Sequence, residues 1–241
     1  MTNPRNNYPK DHHYLPKCFL KAWTYDQNQT HLWVYRKEGN RVFGPSPKST
    51  TSVCYKKHLY TRSECVEEKD KYKMETESFS NIDNEASNYL EYLTKQRGPI
   101  NLSPKEKEPF SVFLNSLKAR TPEIIEKYKL QAVPILQDNL KELLPYFKEK
   151  NPERYENFGL DTIVKFIRDK ELINLISAMH WAIISIEDDY QNLLTSDRPL
   201  IRDGDIKQPM FGLVLAISPN KLFPVHPHKF PKSIDYFSFS N

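Results

Sequence analysis

The sequence predicts an α+β protein, with one sheet built from N- and C-terminal strands and a large helical middle segment packed on it. Three observations point there. Residues 31–54 carry short β-branched and aromatic runs separated by turn signals. From about Lys69 to Ile184, apolar residues recur at helical spacing behind recognisable helix starts. After Asp188 the strand-like runs return. Strands at two ends of a chain need partners, and one shared sheet is the economical arrangement. A length of 241 residues suits a single domain, 1–241. Within it we distinguish an N-terminal strand region (1–60), a helical region (61–188) and a C-terminal strand region (189–241).

Residues 1–12 read as a loose polar lead. Leu15, Phe19, Leu20 and Trp23 then recur at helical spacing, and Pro16 stands where a first-turn proline is tolerated, so a short helix is expected from Pro16 to Trp23. Leu32 to Tyr35 reads as a strand, with Arg41 to Phe43 as its hairpin partner across Glu38-Gly39-Asn40. Gly44-Pro45-Ser46-Pro47 is expected to end that unit, before a third short strand in Ser49 to Cys54. Phe79, Ile82, Ala86, Tyr89, Leu90 and Leu93 mark a helix. Ser103, Pro104 and Glu106 form a capping box with proline at the first helical position. Thr121-Pro122-Glu123 starts another helix, whose stripe reaches Leu144, with a break or kink expected at Pro134. Asn151-Pro152 opens a turn. Leu160 to Ile167 forms a further helix, and Leu172 to Ile186 reads as one more, buried. Tyr190 to Thr195 alternates like a strand, and Thr195 to Pro199 is a sharp polar corner. Phe211 to Ile217 has the unbroken apolar character of a central strand, and Lys221 to Val225 that of an edge strand.

Composition narrows the function. Apolar residues make up 38%, charged residues 27% and aromatics 12%, which fits a globular chain. The first residues are polar and no apolar run approaches the ~20 residues that span a bilayer, so neither a signal peptide nor a membrane partner is expected. The three cysteines, Cys18, Cys54 and Cys65, lack metal-knuckle spacing and are odd in number. They suit a reducing, cytoplasmic setting. The net charge of +4 is unevenly spread: residues 1–60 hold ten Lys/Arg against three Asp/Glu. An anionic partner such as nucleic acid fits that asymmetry, and so does an ordinary solvated surface. There is no P-loop, no Gly-x-Gly-x-x-Gly and no His-Glu-x-x-His, which argues against nucleotide-driven machinery, dinucleotide oxidoreductases and zincin proteases.

Several short motifs stand in a characteristic order. They are His13-Tyr14-Leu15-Pro16 with Phe19-Leu20 and Trp23, Ile82-Asp83-Asn84-Glu85, Arg120-Thr121-Pro122, Thr195-Ser196-Asp197-Arg198-Pro199, and Ile217-Ser218-Pro219. Together they resemble the domain of unknown function 4238 family, a bacterial family, over nearly the whole chain. Ala216 stands where that family's closing motif usually has proline. The resemblance nominates residues and implies no activity.

His13 and Asp197 are the first candidates. Histidine titrates near neutrality and can move protons, and a carboxylate nearby would orient it or hold a metal. The plainer alternative is a helix-capping His13 and an Asp197 that closes a turn before Pro199. Arg120, between two helices, is placed to bind a phosphate or carboxylate, or else to pair with Glu85 or Asp197. Glu85, with His13 and Asp197, would supply a hard-metal set suited to Mg or Mn, or else lie on a solvated helix face. His180 shares a stripe with Ile173, Ile176 and Ile184 and reads as a core histidine. His226 and His228 are two ligands at most. Ser196 lacks a nucleophile elbow. These residues leave two functions as expectations. One is a phosphodiester hydrolase, a nuclease of the toxin or phage-defence type, using His13, Asp197, Arg120 and Glu85. The other is a non-catalytic module that binds nucleic acid or protein through a basic sheet layer.

Overall fold

A computed structural model describes residues 8–63, 65, 67–139, 152–187, 192–204, 208 and 211–228, and side chains at all of these except 132–139 and 152–155. The class is α+β. The strands do not share one sheet, however. β1 (Asp11–His13) pairs with β4 (Tyr55–Lys57), and β2 (His31–Glu38) pairs with β3 (Arg41–Ser49). A separate five-stranded antiparallel sheet has the order β5-β6-β9-β8-β7. Its members are β5 (Gly98–Pro99), β6 (His180–Ser185), β7 (Leu200–Asp203), β8 (Gly212–Ser218) and β9 (Lys221–His226). The region expected to be purely helical therefore contributes β5 and β6. Of the basic N-terminal residues, Arg36, Lys37, Arg41, Lys48, Lys56 and Lys57 lie on two ribbons rather than on a sheet layer.

The physical reason lies in Leu172 to Ile186. A mostly apolar run of this length, interrupted only by Asn174, Ser177, His180 and Ser185, fits a buried helix or a helix followed by a buried strand, and periodicity alone does not separate them. The chain divides it into α7 (Lys170–Ala178), N-capped by the Asp169 side chain, and then β6. Trp181, Ile183 and Ile184 have the β-branched and aromatic character that a central strand buries on both faces. β9, expected at an edge, lies between β6 and β8. Pro224 is accommodated there opposite Val214.

Helices cover the sheet. Short α1 (Lys17–Leu20) continues into a 3-10 turn at Lys21–Trp23 that packs near β8. α2 (Glu68–Lys71) leads to a π-helical turn, Met74–Phe79, which feeds α3 (Ser80–Thr94). α4 (Pro104–Ala119) is the central helix. Its capping box forms as the sequence predicts, with Ser103 and Glu106 exchanging hydrogen bonds. Around it pack α3, α6 (Pro152–Ile167) and α7. Phe110, Trp181 and Phe223 meet edge to face, with centroids 5.2–5.9 Å apart, where α4 crosses the sheet. Buried polar side chains within α4 find partners. Lys107 donates to Met179 O at 2.8 Å, Ser111 bonds Ser177 at 2.9 Å, and Asn115 caps the end of α6 through Phe166 O and Ile167 O.

α5 (Pro122–Asn139) begins at the expected Thr121-Pro122 start and runs through Pro134 without a break. It packs on α6 at one point of unusual closeness. A Cβ on Gly159 would stand 2.8 Å from Tyr128 O and 3.0 Å from the Lys129 Cα. Gly159→Ala is therefore expected to destabilise the protein. Overpacking costs about 1–3 kcal/mol, partly offset by up to about 1 kcal/mol of helix propensity. A lowered urea midpoint with unchanged slope checks this, and a raised midpoint would mean that the helices separate freely. Residues 1–7, the stripe positions from Leu140 to Leu144, the Asn151 turn, and Tyr190-Gln191 lie outside the described residues.

β3 does not stop at Gly44. It turns through Gly44 (φ +114) and runs on to Ser49. A Cβ on Gly44 would lie 2.6 Å from Val34 O, so only glycine fits. A 3-10 turn at Thr50–Ser52, capped by the Ser49 side chain, replaces the expected third strand.

Candidate functional site

Of the polar lead, residues 8–12 are described, and its last two enter β1. β1 alternates, so neighbouring histidines face opposite ways. His12 points inward and is fully buried, its ring stacked on Tyr60 at 5.4 Å. Its Nδ1 accepts the Tyr60 backbone N–H at 2.9 Å, which leaves the proton on Nε2, 3.1 Å from Pro9 O. One donor and one acceptor define a neutral imidazole, and burial holds its pKa below the ordinary value. His12 is a structural residue. His13 faces Tyr55, with ring centroids 5.7 Å apart, and the backbone of Thr50 and Thr51. Burial, and then the Lys17 ammonium, lower its pKa, and its Nε2 is buried without a hydrogen-bond partner among the described residues.

Behind β1 lies a cluster drawn from four elements. Arg120 ends α4 and is fully buried. Its guanidinium donates to both oxygens of Asp83 on α3, at 2.7 and 3.3 Å, and lies 5.1 Å from the centre of the Phe79 ring. Burial opposes the charge, but the Asp83 carboxylate outweighs it, and the Arg120 pKa is raised. The Tyr60 hydroxyl donates to Arg120 O at 2.7 Å. Glu75 enters from the π-helical turn, a local geometry that recurs at functional sites. Burial drives its carboxyl up to about 7. Arg120 pulls against that shift, Asp83 adds to it, and Lys17 and the His13 backbone N–H pull against it. Its Oε2 is buried and unpartnered among the described residues, as is Arg120 Nε. Orphaned polar atoms and displaced pKa values gathered in one neighbourhood nominate it as the candidate site.

The C-terminal corner closes on the same place. Tyr14 N–H donates to Cys54 O at 3.0 Å, where Cys54 adopts a left-handed backbone (φ 53). Tyr14 is pushed up to about 12 by burial, then by Cys54 and by the Asp197 carboxylate. Cys54 is pushed up to about 11 by burial and Asp197. Both it and Cys18, also raised to about 11 by burial, are neutral thiols at physiological pH and poor nucleophiles. Arg198 pairs with Glu123 at the start of α5, and its backbone N–H bonds the Ser196 hydroxyl at 3.1 Å.

The predicted residues fall in different places. Asp197 is exposed and lies beside Tyr14 and Cys54. Arg120 sits beneath the site, its fork occupied by Asp83 rather than by Glu85 or Asp197, so a surface phosphate clamp is corrected to a buried ion pair. Glu85 is exposed on the side of α3 that carries Tyr89. Among the described residues no group of three or more His, Cys, Asp or Glu could hold a metal ion, which removes the Glu85–His13–Asp197 ligand set expected for Mg or Mn. His180 heads β6 opposite His226 rather than lying on a helical stripe. Sequence reasoning missed Glu75, Lys17 and Asp83. Asp83 was legible: it stands four residues after Phe79 and three before Ala86, inside the buried stripe of α3. Glu75 was not, because a π-helical turn breaks the 3.6-residue period by which a helical face is read.

The chain belongs to the family described as "Protein of unknown function (DUF4238)", whose model matches residues 11–230. No curated protein and no solved structure matches it. No helix among the described residues is long and apolar enough to cross a membrane.

Proposed function

We propose that this DUF4238 member is a phosphodiester hydrolase, a nuclease, working where β1 meets the π-helical turn. The observation that carries the reading is Glu75. Its carboxyl is raised to about 7, has a buried unpartnered oxygen, and shares the Lys17 field with a histidine whose pKa is lowered. Such a pair is poised for acid–base work near neutrality, with the roles set by the opposed shifts. Neutral His13 takes the proton of the attacking water or hydroxyl as the new P–O bond forms. Protonated Glu75 gives its proton to the leaving oxygen as the old P–O bond breaks. Lys17, exposed and close enough to act on both groups electrostatically, attracts the phosphate. Arg120 acts from below as a positioning residue, fixing Asp83 and moderating the Glu75 pKa.

The full chain should cleave labelled RNA or DNA with a narrow pH optimum. The acid limb lies below the ordinary histidine range and the basic limb falls near 7. Glu75→Gln and His13→Ala should each lower the rate about 10²–10⁴-fold, with thermal melts showing a folded protein. Parallel reactions with EDTA, Mg²⁺ and Mn²⁺ test metal dependence. Undiminished cleavage in both variants would refute the assignment. An exposed basic ribbon, β2–β3, favours a second reading, a binding module without turnover. Binding with no cleavage under any of these conditions would establish that reading instead.

A further inference from the structure

β2 and β3 form a ribbon that contributes little to the core: of its residues only Leu32 is buried. Most of its remaining apolar side chains are exposed. Trp33 is 52% exposed, Tyr35 56%, Val42 64% and Phe43 45%. Tyr25, 51% exposed, stacks on Trp33 with centroids 4.7 Å apart and planes 19° from parallel. Arg36 lies over the Phe43 ring at 5.9 Å and pairs with the ribbon's single acid, Glu38, at 3.0 Å, while Lys37, Arg41 and Lys48 accompany it. Flat aromatic faces interleaved with cations, on a strand pair that buries only Leu32 among the described residues, match what single-stranded nucleic acid offers, stackable bases on a phosphate chain. The root of the ribbon, Thr30 and Thr50, is joined by a 2.8 Å backbone hydrogen bond, and Thr50 touches His13. The ribbon therefore starts at the site described above.

We infer that the β2–β3 ribbon, with Tyr25, is the binding surface for single-stranded nucleic acid. Bases stack on Trp33 and the neighbouring aromatics, and Arg36, Lys37, Arg41 and Lys48 take the phosphates. This names the substrate class of the proposed hydrolase and rests on that reading only for the cleavage step, not for binding.

The test is fluorescence anisotropy of the full chain with labelled oligo-U, oligo-dT and duplex DNA, across a salt series. Single strands should bind better than duplex. With three to four phosphates neutralised, the slope of log affinity against log salt should be about −2 to −3. Trp33→Ala should weaken binding roughly ten-fold or more. Joint Arg36→Glu and Lys37→Glu should abolish binding, and each variant should melt as the parent does, because its side chains are outside the core. Glu75→Gln should bind like the parent. Binding that survives both ribbon variants overturns the assignment. So does a Trp33 that inserts into phosphatidylglycerol vesicles, or that mediates dimerisation, while oligonucleotides do not bind. Tight binding without cleavage would retire the hydrolase and leave the ribbon assignment standing. Cleavage indifferent to Trp33→Ala would do the reverse.

Discussion

Asp83→Ala is expected to be the most damaging single substitution in the polar cluster, costing about 3–5 kcal/mol. Its partner decides this. The Arg120 side chain has no exposure, whereas that of Asp83 keeps 28%. Removing the carboxylate leaves a guanidinium that cannot lose its proton and that water does not reach. Removing the guanidinium instead, as in Arg120→Met, leaves a carboxylate that is partly hydrated and can take up a proton. That costs less, although the packing on Phe79 and the fixed end of α4 are disturbed. In a domain with a stability of about 5–15 kcal/mol, the first change takes a large share of the total. At roughly 2–4 °C per kcal/mol for a chain of this size, the melting temperature should fall by about 10 °C. The double variant should recover part of the loss, because the orphaned charge is gone. Equal losses from the two single variants would show that the pair is better hydrated than its burial implies.

That pair also marks how much could be read from the residues alone. Strong local rules transferred well. The Ser103 capping box, the Pro16 and Pro122 helix starts, and the Gly39 hairpin turn appear where expected, since each is decided by residues within one turn of chain. The separation of the N-terminal ribbons from the main sheet was not legible. Whether two strands pair depends on loops and burial far apart in sequence, and alternation on β2 looks the same in a ribbon as in a sheet. The run from Leu172 to Ile186 failed for a related reason, because its apolar content satisfied helix and strand alike. At the site, His13 and Asp197 were visible as residue types at sharp corners. Glu85 was favoured over Asp83 because both fit an acidic motif, and only the angle around α3 separates them. Glu75 carried no local signal. Its significance comes from Arg120, Asp83 and Lys17, which approach it from three other elements.

Glu75→Gln should therefore stabilise the protein above neutrality, and the effect should depend on pH in a defined direction. Between the ordinary glutamate value of 4.5 and the folded value of about 7, the folded state holds a proton that the unfolded state has released. Stability conferred by that proton is complete below 4.5 and is lost as pH rises through about 7. The shift corresponds to about 3 kcal/mol at one pH unit per 1.4 kcal/mol, reduced where water reaches the partly exposed side chain. Glutamine keeps the shape and cannot ionise. The melting temperatures of parent and variant should coincide near pH 4.5 and diverge in favour of the variant up to about pH 8. His12 and His13, both held neutral by burial, contribute separate losses below the ordinary histidine range in both proteins, so the difference between them above that range isolates Glu75. A constant difference at all pH values would mean that the carboxyl titrates normally and would remove the basis for its role as an acid. If the divergence appears together with lost cleavage, Glu75 is a group retained against the stability of the fold, as expected of a residue selected for chemistry.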